Sequence, residues 1–167
     1  MACRGVHFAL IAAEVEHLRS LTSERARIDY VVEYLEDTYF SGREEFLARS
    51  DKAWDAMHRC LADGELTWDG GDYPLNHVIL AGELLYTEDD YILSLKTPEQ
   101  VRDIAAALPG VTEEEFRRRY YTIDEGRYGM PPDEEDFGYT WEWFQDVRRL
   151  YLRAAAEGRH VLFAVDQ

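Results

Sequence analysis

The two ends of the chain place the tightest limits on its fold. In residues 3–10, Arg4, Val6, Phe8 and Leu10 alternate with Cys3, Gly5, His7 and Ala9, and both sets are mostly apolar or small. The last such segment, His160-Val161-Leu162-Phe163-Ala164-Val165, is again apolar on both faces. A strand with two apolar faces needs cover on both sides. The ends of the chain therefore predict strands that pair or neighbour in one sheet, with helices from the middle of the chain covering it.

The middle supplies those helices. A short one is expected at 12–20, on a thin apolar side of Val15 and Leu18. Ser23 caps a long helix at 24–40, with Ile28, Val31, Val32, Leu35 and Tyr39 inward and Glu33, Glu36 and Asp37 outward. Ser50-Asp51 is read as the start of a helix at 51–62, where Trp54, Met57, His58 and Leu61 share a face and Asp51 favours the dipole of the first turn. Thr97-Pro98-Glu99-Gln100 and Thr112-Glu113-Glu114-Glu115 have the form of capping boxes and open two further helices. A last helix is expected at 140–157. The runs 78–82 and 91–95 read as strands, and the stretches 65–75 and 124–138 as irregular, exposed loops. About six helices and four strands in no regular alternation give an α+β fold: a small mixed β-sheet containing the N- and C-terminal strands. With 167 residues and 46% apolar types, one domain over 1–167 is expected.

Charge narrows the partners. Eighteen Lys and Arg against 34 Asp and Glu leave a net charge of −16. Such a surface repels phosphate backbones and anionic lipid, so neither nucleic acid nor membrane is an expected partner; a basic protein would be steered in. Plain solubility is the simpler use of that charge. No apolar run reaches membrane-span length and no export signal opens the chain, so a cytoplasmic setting is expected. Cys3 and Cys60 form neither a CxxC pair nor zinc spacing and are expected reduced.

Catalytic patterns are sparse. Asp51, Asp55 and His58, placed one turn apart on a single helix, are the candidate site, since a carboxylate beside a histidine orients it and raises its pKa. The plainer assignment makes Asp51 a dipole cap and His58 a hydrogen-bonded core residue. His7, His77 and His160 lie on or beside expected strands and have the means to gather, but no HxH, HxxH or HExxH pair exists, so no metal is assigned. Phosphate-binding glycine motifs are absent, so no cofactor is expected, and Arg117-Arg118-Arg119 is explained by pairing with Glu113-Glu114-Glu115. Aromatics in or next to expected loops, Tyr39, Phe40, Trp68, Tyr73, Tyr128, Tyr139 and Trp141, stand with the acidic cluster Asp133, Glu134, Glu135 and Asp136 as a candidate binding surface.

Several segments, in order, carry a resemblance. Arg4-Gly5-Val6-His7-Phe8 opens the chain; Asp51-Lys52-Ala53-Trp54-Asp55-Ala56-Met57-His58 and Pro74-Leu75-Asn76-His77-Val78-Ile79-Leu80-Ala81-Gly82 come next. Then come Leu95-Lys96-Thr97-Pro98-Glu99-Gln100-Val101 and Ala154-Ala155-Ala156-Glu157-Gly158 before the terminal strand. Over nearly its whole length the chain resembles the YfbM-like family, small bacterial proteins classed as a domain of unknown function. The resemblance implies an α+β fold of its own type and a bacterial cytoplasmic setting, and it implies no reaction. Tyr128-Gly129-Met130-Pro131 departs from the Tyr-Pro that the family often carries in its late loop.

The leading expectation is a non-catalytic interaction domain, regulatory or immunity-like, that binds a basic protein through an acidic, aromatic-bearing surface. The alternative is a small enzyme or ligand-binding domain with a cleft near Asp51, Asp55 and His58. A third reading is a structural homodimer, which sedimentation would reveal.

Overall fold

The computed structural model describes residues 3–167. The described residues form a five-stranded sheet in the order β2-β1-β5-β4-β3. Its strands are β1 (Gly5–Leu10), β2 (Leu47–Asp51), β3 (Glu83–Leu84), β4 (Tyr91–Lys96) and β5 (His160–Asp166). The first and last strands lie side by side, His7 opposite Phe163 and Ala9 opposite Val161. All four pairings are antiparallel, so the sheet expected to be mixed is antiparallel throughout.

Helices cover both faces. On one face, Phe8, Leu10, Leu93, Leu95, Leu162 and Ala164 meet α1 (Ala12–Ser20), α2 (Glu24–Tyr30) and α3 (Glu36–Gly42) through Val15, Leu18, Ile28 and Tyr39. On the other, Ala9, Val161, Phe163 and Val165 meet α4 (Trp54–Leu61), α5 (Pro98–Ala107), α6 (Glu113–Tyr120) and α8 (Glu134–Ala156). A single turn, α7 (Glu125–Tyr128), precedes α8. The alternation of apolar sets in β1 and β5 is thus divided between two cores. Among the described residues, no helix is long and apolar enough to cross a membrane.

Several local expectations are corrected. Asp51 ends strand β2 instead of opening a helix, and its φ of +44° lies in the left-handed region, which Asp tolerates better than most residues. The long helix is interrupted by a π-helical turn, Val31–Leu35. Its wider winding shifts the register of the helix, so Val32, expected inward, is exposed, and Glu36, expected outward, is partly covered. The stretch 124–138 holds α7 and the start of α8; Asp133 is the N-cap of α8, its Oδ1 accepting the Asp136 N–H. Thr97 makes the complete capping box with Gln100, whereas Glu115 is drawn to Arg118 and Arg119, leaving Thr112 as a simple cap.

The last correction is the run 78–82, expected as a strand. It is an irregular segment after a 3-10 turn, Leu75–His77, and only Glu83–Leu84 join the sheet. Val78, Ile79, Leu80 and Ala81 are nevertheless buried. Buried carbonyls need donors, and here side chains provide them. His7 Nε2 (3.1 Å) and Tyr151 Oη (2.7 Å) donate to the Val78 carbonyl. Lys96 Nζ donates to Ile79 (2.5 Å) and Ser94 Oγ to Leu80 (2.7 Å). Gly82, at φ +144°, lets the segment lie on β4, where a Cβ would stand 2.7 Å from the Leu95 carbonyl.

Gly5 is required for a different reason. A Cβ there would meet Ser50 Oγ at 2.5 Å and the Phe163 ring at 2.8 Å. Gly5→Ala should therefore cost about 1–3 kcal/mol through overpacking. It should lower the urea midpoint and leave the slope of the transition unchanged.

Candidate functional site

The candidates Asp51, Asp55 and His58 do not share a helix face, because Asp51 lies outside α4. Asp55 Oδ1 accepts from Arg59 Nε at 2.5 Å, and burial raises its carboxyl pKa. His58 is buried, with Nε2 2.9 Å from the Thr67 carbonyl. Burial lowers its pKa to about 4, opposite to the rise expected of a histidine held by a carboxylate. A neutral ring fits a donor to a carbonyl. His7 is more extreme: burial above all brings it to about 3. His77 Nδ1 turns to Asn76 Oδ1. Among the described residues, no three His, Cys, Asp or Glu side chains gather as a metal-binding group.

The aromatic and acidic residues expected on one surface are spread over several local contacts. Tyr128 Oη and Tyr120 Oη both donate to Asp136 Oδ2, at 2.8 and 2.6 Å. Glu134 accepts from Arg117 and Tyr121. Glu135 is exposed. Trp141 packs against Phe116 and Phe144, and Tyr73 Oη donates to Asp103. Tyr139 Oη donates to Asp51 Oδ2 at 2.5 Å. The acidic cluster thus serves the entry of α8, where carboxylates favour the helix dipole and hold neighbouring tyrosines.

Two concavities flank the same end of the sheet and meet at Tyr91. The larger is a cleft of about 650 Å³ over Val6 and Ala164, within the usual size of small-molecule sites. Val32, Glu36 and Phe40 form its helical wall, Arg49 and Asp51 come from β2, Trp143 from α8, and Tyr91 and Asp166 close the far side. Arg4 Nε stands 3.3 Å from Asp51 Oδ1 as an ion pair. The Arg49 guanidinium lies 4.7 Å from the centre of the Phe40 ring. Burial, and then the nearby Asp166 charge, raise the pKa of Glu36.

The smaller concavity is a groove of about 350 Å³ beside β4. Trp54, Leu66, Trp68, Leu80, Leu84, Tyr86 and Ile92 give it an apolar wall. Glu88 and Asp89 are its charged residues, and Leu66 and Leu84 are exposed within it. β3 pairs only with Leu95 and Ser94, so it stops short of Tyr91 and Ile92.

Sequence reasoning found Phe40, Asp51 and Trp68 but missed Glu36, Arg49, Tyr91, Trp143 and Asp166. The alternation of Leu47 and Arg49 with Ala48 and Ser50 was the available signal for β2, and hence for Arg49.

The chain is similar in fold to a solved structure described as a protein of unknown function, YfbM, from Escherichia coli. The TM-score is 0.64 at 22% identity, over 97% of this chain and 99% of that one. No curated protein matches. The family profile described as a domain of unknown function, DUF1877, matches residues 1–164, and on that match the chain belongs to the DUF1877 family.

Proposed function

We propose that this domain is a non-catalytic recognition module, and that it docks a basic protein segment carrying an apolar side chain into the groove beside β4. The setting proposed for it is the bacterial cytoplasm. The observation that supports the reading is the composition of that groove: an aromatic and aliphatic wall whose charged residues, Glu88 and Asp89, are both acidic. Apolar contact anchors a partner there, and the acidic rim with the chain's net charge of −16 steers a basic one toward it. Such attraction is screened within about 8 Å at physiological salt, so capture depends on ionic strength.

Tagged wild-type protein and a Glu88→Lys/Asp89→Lys variant are to be incubated with native lysate at low salt and washed at rising salt. A basic protein held by the wild type, released by high salt and lost from the variant is the expected result. Equal capture by both proteins, or no capture by either, would end the reading.

A further inference from the structure

We infer that the cleft over Val6 and Ala164 binds a short zwitterionic peptide, with the peptide ammonium received at Glu36 and Asp166 and its carboxylate at Arg49. This site shares only Tyr91 with the groove beside β4 and does not depend on the proposed docking there.

Among the described residues, three charged side chains lining one cleft lack an ion-pair or hydrogen-bond partner. Among the described residues, Arg49, Glu36 and Asp166 make no ion pair and no side-chain hydrogen bond. The other two charged groups there, Arg4 and Asp51, face each other. Arg49 and the acid pair do not neutralise one another because the sheet holds them apart. Arg49 is opposite Val6, and Val6 is opposite Ala164, so Arg49 and Ala164 are two strands apart. Two interstrand steps span about 10 Å, and Asp166 lies two residues further along β5 on the same face. A ligand that satisfies both ends must carry its opposite charges well apart, on the order of that backbone spacing.

An extended tripeptide reaches at most about 10–11 Å, which suits the gap. A free amino acid holds its charges two backbone bonds apart and cannot reach both ends. The walls suit peptide side chains: Phe40 and Tyr91 are aromatic, Val32 is apolar and exposed, and the floor residue Ala164 is small. Burial already raises the carboxyl pKa of Glu36 beside Asp166, so an incoming ammonium would relieve two crowded acids.

The test uses the full chain and a mixture of Ala-Xaa-Ala tripeptides. Retained species are to be identified by mass spectrometry, and the best one titrated by calorimetry. Binding should weaken at least tenfold when that peptide is N-acetylated or C-amidated, and free alanine should not bind. Glu36→Gln and Arg49→Gln should each weaken it about tenfold with unchanged circular dichroism. Val32→Trp, at an exposed wall position, should block the cleft. The Glu88→Lys/Asp89→Lys variant should bind the peptide as the wild type does. Retention of no tripeptide, equal binding of blocked and free peptides, or equal binding of free alanine would overturn the inference.

Discussion

Lowering the pH from 7 to 5 should remove about 4 kcal/mol of stability through two buried histidines, His7 and His58. Their folded pKa values, about 3 and about 4, lie below the 6.5 of the unfolded chain, and burial is the leading cause for both. A depressed folded value means that the unfolded chain binds more protons between the two values. The contribution is therefore fully present above pH 6.5 and is lost as the pH falls toward 4 and then 3. By pH 5 each ring has lost about 2 kcal/mol, at about 1.4 kcal/mol per pH unit. For a chain of this size the sum corresponds to a fall in Tm of about 10 °C. Glu36 and Asp55 oppose the trend, because their folded pKa values are raised and their contribution grows on acidification. Relief of the net charge of −16 acts in the same direction as these carboxyls. The histidine share is isolated by comparison with His58→Gln, whose amide keeps a donor for the Thr67 carbonyl. The variant should lose less stability between pH 7 and pH 5 than the wild type, by about 2 kcal/mol. Parallel pH curves for the two proteins would show that His58 is not held neutral.

The range of the interactions decided which elements could be read from the sequence. β1 and β5 were legible because their burial is written in contiguous residues, as was α5, whose Thr97 cap, Pro98 and Gln100 lie within four positions. The antiparallel direction of every pairing was not legible, since it depends on where the helices return the chain. The run 78–82 misled because apolar, buried residues look alike whether their carbonyls bond to a strand or to side chains. The donors here, His7, Ser94, Lys96 and Tyr151, come from positions 13 to 73 residues away. The cleft was hidden for a related reason. A π-turn moves Val32 and Glu36 out of the 3.6-residue register, and Arg49 and Asp166 come to line one cleft only across the folded sheet.

Lys96 shows most sharply how the two faces of the sheet differ, and its replacement should have the other large effect. Lysine is seldom fully buried, yet this side chain is. Its Nζ donates to the Ile79 carbonyl and to Ser94 Oγ (2.8 Å), and no carboxylate pairs with it among the described residues. Burial lowers its pKa well below the ordinary lysine value. Lys96→Ala should cost about 3–5 kcal/mol near pH 10, where the wild type no longer spends free energy discharging the lysine on folding, because it opens a cavity and orphans the Ile79 carbonyl within a segment that has no ladder to fall back on. Lys96→Met separates volume from chemistry. Methionine fills the space and loses the donor, but it also escapes the cost of discharging a lysine on folding. That cost is greatest at low pH. Wild-type stability should therefore rise as the pH climbs toward the ordinary lysine value, by up to about 1.4 kcal/mol per unit, whereas the methionine variant lacks this rise. Chemical denaturation of both proteins from pH 7 to pH 10 should give curves that converge or cross in favour of the wild type. A constant difference across that range would mean that the carbonyls around Lys96 hold it as a cation, with the 78–82 segment acting as its solvent.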